Sequence, residues 1–211
     1  MGAVVERFPL FPLGLVLLPT ELVPLHIFEE RYRQMIGECL DTGEEFGIVW
    51  LSDSGLKDIG CSARVARLLK RMEDGRMDVL VQGVAPFRLL RRIEDMPYPA
   101  GDVELLDDAG VEPDPSTVTD ARDLYAKLVE RVTDERPDEA ELGDMDAYDM
   151  AATVEFALDA KQVLLELRSE ADRMTAVAEL FDKTMQRLDF SERAGEVARS
   201  NGKIHLGGRD A

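Results

Sequence analysis

Ile59-Gly60-Cys61-Ser62-Ala63-Arg64-Val65-Ala66-Arg67-Leu68-Leu69-Lys70-Arg71-Met72, then Glu73-Asp74-Gly75-Arg76, then Met77-Asp78-Val79-Leu80-Val81, is the stretch on which the fold class turns. Two strand-like runs flank an Asp-Gly pair, and Asp-Gly between such runs is the strongest short signal of a β-hairpin. The reading leaves no room for a long helix between Ile59 and Ile93. Outward from the hairpin, Phe46 to Leu51 (Phe-Gly-Ile-Val-Trp-Leu) reads as a buried strand. Phe87 to Ile93 and Val103 to Leu106 add strands on the other side, separated by the turn Met96-Pro97-Tyr98-Pro99. Upstream, Phe8 to Leu18 mixes proline with large apolar residues. Repeated proline fits neither a helix interior nor a central ladder, which leaves edge strands and tight bends. Glu21 to Phe28 is a further extended segment, interrupted by Pro24. Many short strands punctuated by Gly and Pro predict a small, closed, barrel-like sheet.

One short helix is expected inside this half, from Glu29 to Leu40. Tyr32, Met35, Ile36 and Cys39 fall at i, i+3, i+4 and i+7 and make one apolar face, and Gly43 is placed to end the helix. The second half reads as helices. Asp114 followed by Pro115 suits the cap and first turn of a helix, with Val118, Ala121, Tyr125, Leu128 and Val132 as its stripe. Ala160, Val163, Leu164 and Leu167 form a second stripe. Met174, Val177, Ala178, Phe181, Met185 and Leu188 form a third. The stripes predict a bundle. Glu135 to Asp146 is acidic, contains Pro137 and Gly143, and reads as an exposed loop. The expected division is a strand-rich unit over 1–110, a helical unit over 111–200 and a flexible tail over 201–211, with the change falling near 107–115.

Composition narrows the function. The chain has 211 residues, 45% apolar and 32% charged, with a net charge of -18. Residues 1–106 hold 17 acids and 12 bases and residues 107–211 hold 26 acids and 13 bases, so the helical half carries most of the charge. A field of that sign disfavours nucleic acid. No apolar run approaches the roughly 20 residues of a membrane span. The first residues, with Glu6 among them, do not read as a signal peptide, so the cytoplasm is the expected compartment. Cys39 and Cys61 are too few for a disulfide framework and, with His26 and His205, give no metal-ligand spacing. Neither a metal nor a cofactor is expected.

Three stretches together resemble the amino-terminal, substrate-binding domain family of Lon proteases. The first is Phe8-Pro9-Leu10-Phe11-Pro12-Leu13, then Leu18-Pro19, then Leu22-Val23-Pro24-Leu25-His26-Ile27-Phe28-Glu29-Glu30-Arg31-Tyr32. The second is Ile59-Gly60-Cys61-Ser62-Ala63-Arg64-Val65 with Leu80-Val81-Gln82-Gly83-Val84-Ala85-Pro86-Phe87-Arg88-Leu89. The third is Lys161-Gln162-Val163-Leu164-Leu165-Glu166. The resemblance spans roughly Phe8 to Phe181 and implies an α+β fold, a PUA-like β pseudo-barrel with a short helix followed by a C-terminal α-helical bundle. It implies a stand-alone relative that binds unfolded or extended protein segments and serves an ATP-dependent protease as adaptor or regulator. No catalysis of its own is expected, because the sequence holds no G-x-x-x-x-G-K-(S/T) phosphate loop and no recognisable serine nucleophile motif.

The residues expected to line a client groove are His26, Phe28, Tyr32, Trp50 and Phe87, since aromatics often anchor interfaces. The competing reading of the four aromatics is barrel core, and of His26 a structural role. The basic cluster Arg64, Arg67, Lys70, Arg71, Arg88, Arg91 and Arg92 is read either as a solvated outer face or as a docking patch, for a partner or for the chain's own acidic half. The net charge alone favours basic clients. Two other readings are an RNA-binding module, by analogy with PUA-like barrels, and a peptidase-related enzyme with an unrecognised site.

Overall fold

The computed structural model describes residues 2–201, so nearly all of the expected tail lies outside the described residues. The strands are β1 (Val4–Leu13), β2 (Leu22–Ile27), β3 (Phe46–Ser52), β4 (Gly55–Leu56), β5 (Ile59–Arg71), β6 (Met77–Ile93) and β7 (Ala100–Leu105). The helices are α1 (Glu30–Thr42), α2 (Pro115–Thr133), α3 (Glu139–Asp144), α4 (Ala147–Ala151), α5 (Leu158–Glu166) and α6 (Glu170–Asn201). Among the described residues no helix is long and apolar enough to cross a membrane.

β1, β7, β6, β5 and β3 pair in that order, and a parallel pairing of β1 with β3 closes them into a ring. All the other strand pairings are antiparallel. The ring is not a clean barrel, because β5 and β6 run well past it and β2 is added beside β6. Pro9 and Pro12 are not in a simple edge strand, contrary to expectation. β1 divides its length, with Val4 to Pro9 against β7 and Leu10 to Leu13 against β3. Each half therefore satisfies one neighbour, and a residue without an N–H is tolerated in it.

The β5–β6 hairpin turns where the sequence places it. Met72 N–H donates to the Arg76 carbonyl at 2.8 Å, Gly75 N–H donates to the Met72 carbonyl at 3.1 Å, and Gly75 takes φ 84°. A side chain is disfavoured there, and glycine removes the strain. Gly83 answers a different need, since a Cβ there would lie 2.0 Å from the Leu18 carbonyl oxygen. Gly83 N–H bonds the Glu21 carbonyl and Thr20 N–H bonds the Gly83 carbonyl, which ties the bend before β2 to the middle of β6. Gly83→Ala is expected to lose about 3 kcal/mol by overpacking against backbone. A urea midpoint within error of wild type would show that the bend yields freely.

α1 buries Tyr32, Met35, Ile36 and Cys39, and it ends at Gly43, whose φ is 76° and whose N–H bonds the Cys39 carbonyl. α2 starts at Pro115 with the Asp114 side chain accepting from Ser116 N–H. Three helical expectations need correction, the first being Val132, which is exposed rather than part of the buried stripe of α2. The acidic segment Glu135 to Asp146 is not all loop, because Asp138 caps α3 and Leu142 pins it to the core at 9% exposure. In α5, Val163 is exposed while Lys161 and Gln162 are buried. That short helix meets the strand half through polar partners, with Lys161 Nζ on Glu21 at 2.6 and 2.7 Å and Gln162 donating to the Ile59 carbonyl at 3.2 Å. One hydrophobic cluster runs through both halves, from Ile36, Ile48 and Cys61 to Met150, Leu164 and Phe181.

Candidate binding face

β5 and β6 have 13 and 17 residues, longer than the ring needs. Past the ring, Met77 to Gln82 lies between β2 on one side and Arg64 to Arg71 of β5 on the other. Side chains alternate across a strand, so this three-stranded extension has two unlike faces. The inner face carries Val23, Val81 and Val65, then Leu25 and Val79, in register. It belongs to the same apolar cluster as Tyr32, Met35 and Ile36 of α1. The outer face carries Leu22, Gln82 and Arg64, then Pro24, Leu80 and Arg67, then His26, Asp78 and Lys70.

Leu22 is 53% exposed, and Phe28, one alternation beyond His26, is 61% exposed. The Phe28 ring lies nearly parallel to that of His26, with centroids 6.0 Å apart. His26 Nδ1 is 2.6 Å from Asp78 Oδ1, a cross-strand pair that fixes the imidazole against the sheet. Among the described residues, no hydroxyl or thiol is hydrogen-bonded to His26. Cys39 and Cys61 are buried, and burial pushes the Cys39 thiol up to about 11 and raises that of Cys61 further still. Both thiols are held neutral at physiological pH, and the thiolate is the reactive form.

The five residues expected to share a groove are dispersed. His26 and Phe28 stand on the outer face. Tyr32 is 5% exposed and stacked on Phe11, and Phe87 is fully buried, edge-on to Phe8 inside the ring. Both are core. Trp50 is partly exposed near the end of β3, with Lys57 Nζ 5.4 Å from its ring centroid. Leu22, Pro24 and Leu80 share the face with His26 and Phe28 and were not singled out from the sequence. The period-2 spacing of Leu22, Pro24, His26 and Phe28 is the signal that could have found them. A separate cleft of about 390 Å³ lies beside the Pro97–Pro99 turn, with Arg31 and Arg92 in its lining, and shares no residue with this face.

The basic cluster also divides. Arg91 bonds Asp102 at 2.6 Å and Arg88 faces Glu104 at 3.8 Å, both acids on β7. Arg64 donates to Gln82 at 2.7 Å. The helical half is held by its own cations, Lys161 on Glu21 and Arg173 on Asp108 and Glu170. Bonds from Arg91 and the Arg7 N–H hold the Asp102 carboxyl below the usual range, and Arg173 does the same for Asp108. A depressed carboxyl stabilises above its unfolded pKa, and that stability is lost as pH falls through the folded value. Burial raises the Glu170 carboxyl, which acts in the opposite sense. With more carboxyls lowered than raised, the urea midpoint is expected to fall between about pH 5 and 2, and less steeply in Asp102→Asn.

The fold is a strand ring with a sheet extension whose outer face carries exposed apolar side chains, buttressed by helices. The chain belongs to the ATP-dependent protease La (Lon) substrate-binding domain family, which matches it over residues 7–183. It is 27% identical to the Lon protease of Anaeromyxobacter dehalogenans over 94% of its length, and 24% identical to Lon protease 2 of Myxococcus xanthus over 95%. It spans about a quarter of the length of those relatives, 26% and 27%. Solved structures share the fold, two of them as follows. The Lon N-terminal domain protein from Xanthomonas campestris has a TM-score of 0.61 and 24% identity, covering 81% of this chain and 95% of that one. The N-terminal domain of the Mycobacterium avium complex Lon protease has a TM-score of 0.64 and 15% identity, covering 84% and 98%.

Proposed function

We propose that the chain binds extended, apolar segments of unfolded proteins on the outer face of β2 and β6, and that it does so as an adaptor or regulator of ATP-dependent proteolysis in the cytoplasm. The observation that carries this reading is the apolar row of exposed Leu22, Pro24 and Phe28 with half-buried Leu80, on a face whose reverse side is core. A row of this kind on an otherwise charged chain marks an interaction site. Its parts are a sheet with alternating side-chain positions and an aromatic at one end, which suits an extended client better than a folded one. Each apolar contact is worth about 1–3 kcal/mol and ordering a flexible client opposes it, so affinity is micromolar or weaker. The family membership supports the same role. Proteolysis and ATP turnover form no part of the proposal, because the sequence holds neither a phosphate loop nor a recognisable nucleophile motif.

The test is titration of a reduced, unfolded model protein into wild type, Phe28→Ala and Leu22→Ala. Each substitution is expected to weaken binding about tenfold, the equivalent of ~1.4 kcal/mol, and to leave the melting temperature within about 2 °C, because both side chains are more than half exposed. Absence of binding by wild type ends the reading. Equal binding by wild type and both folded variants moves the site off this face.

A further inference from the structure

We infer that the outer part of β5, Arg64 to Arg71, is a docking edge that takes an acidic, extended protein segment as an added strand. The inference deepens the proposed binding function, naming the chemistry of one class of partner, and it rests on that reading. Three observations meet at this strand. First, its edge is open. β3 pairs with β5 as far as Ala63, and from Arg64 onward β5 pairs with β6 alone among the described residues. A strand paired on one side presents a row of N–H and C=O groups to any chain that can lie along it. Second, every residue from Ala66 to Arg71 is exposed, with Leu68 at 38% and Leu69 at 45%. Third, Arg64, Arg67, Lys70 and Arg71 make no ion pair among the described residues. In a chain of net charge -18, acids are plentiful enough that Arg88 and Arg91 on the neighbouring strand both find one.

The other edge of the extension is less suitable. β2 carries Pro24 at its middle, which removes one of the few donors an incoming strand would use. β5 contains no proline. Its register shifts opposite β6, between Val65 and Arg67 and between Leu68 and Lys70, twist the strand and keep regular pairing short. Binding is accordingly weak and reversible. The charges decide the occupant. A second copy of β5 would bring arginine against arginine, and like charges directly opposite destabilise a strand pair. An acidic segment would meet a cation at several positions, while Leu68 and Leu69 accept its apolar residues. Net charge favours basic partners at long range. Within a Debye length of about 8 Å, however, the charges on the strand itself dominate.

The experiment uses the full chain and fluorescent octapeptides of three kinds: alternating Glu-Val, alternating Lys-Val, and Glu-Val with backbone N-methylation at either alternate set of amides. Wild type is expected to bind Glu-Val at least about tenfold tighter than Lys-Val, with the preference shrinking in high salt. One N-methylated set, whose amides face β5, should lose binding and the other should keep it. Arg67→Glu/Lys70→Glu should reverse the charge preference, and Phe28→Ala should leave Glu-Val binding unchanged while weakening the unfolded client. Equal affinity for the two charges, or equal loss or retention by both N-methylated sets, overturns the docking edge. Those outcomes leave the apolar face standing if the unfolded client still binds. An oligouridylate that displaces Glu-Val at equal concentration would mean that the cations serve RNA, which also overturns the proposal. The peptide comparisons on wild type decide the matter even if the double variant does not fold.

Discussion

Replacing Lys161 with alanine is expected to cost about 3–5 kcal/mol of folding stability, one of the two largest effects a single substitution should have in this chain. Its ammonium lies 2.6 and 2.7 Å from the two carboxylate oxygens of Glu21, with only 11% and 15% of the two side chains exposed. Removing the cation leaves the Glu21 carboxyl largely desolvated and without its ion-pair partner, with the Leu18 N–H at 2.9 Å as its remaining support among the described residues. That unpaired carboxyl is the main source of the cost, and the net attraction between the two partners is the smaller part. Replacing both partners with apolar residues of similar size, Glu21→Leu with Lys161→Met, should therefore recover most of the loss. Urea unfolding of the two variants measures this directly. A cost below about 1 kcal/mol for Lys161→Ala would place the pair with ordinary surface ion pairs.

Phe181→Ala is expected to cost about as much, 3–5 kcal/mol, for an unrelated reason. Phe181 is fully buried on α6, with its ring 5.5 Å from that of Tyr125 on α2 and 5.9 Å from that of Phe156. Three aromatic rings from three segments meet there, so no single neighbour can move to fill the space. Phe181→Leu should lose roughly half as much, since it keeps most of the volume. Denaturant curves give the magnitudes, and amide exchange should show α2 opening first. If Phe181→Ala unfolds within 1 kcal/mol of wild type, the helices are able to close over the gap.

Local chemistry was legible in the sequence wherever it depended on neighbours along the chain. The Asp74-Gly75 turn, the Tyr32, Met35, Ile36 and Cys39 face with its Gly43 stop, and the Asp114-Pro115 start are set by residues within a turn of one another. What stayed hidden depended on distant partners. Lys161 and Gln162 look like the solvent side of α5 until Glu21 and the Ile59 carbonyl, 140 and 103 residues away, are placed against them. The candidate site failed to emerge for the same reason. Phe28, Tyr32 and Phe87 are alike as residue types, and only the pairing of β2 with β6 and the seat of α1 decide that Phe28 faces water while the other two do not. The cations of β5 and β6 read as one cluster along the chain, yet β7 neutralises Arg88 and Arg91 and leaves Arg67, Lys70 and Arg71 without ion pairs among the described residues.

The divided pairing of β1 sets a timetable for synthesis. Its second half needs β3, but its first half needs β7, with Val4 set against Glu104. The strand made first is thus among the last to be completed, and the ring cannot close until about a hundred further residues have left the ribosome. At about 5–20 residues per second this is a wait of roughly 5–20 seconds. Throughout it Phe8, a core residue in the finished fold, lacks its β7 neighbour Gly101, whereas Leu10 and Phe11 can meet β3 sooner. A nascent chain in this condition is itself an exposed apolar segment, of the kind that the completed protein is proposed to bind.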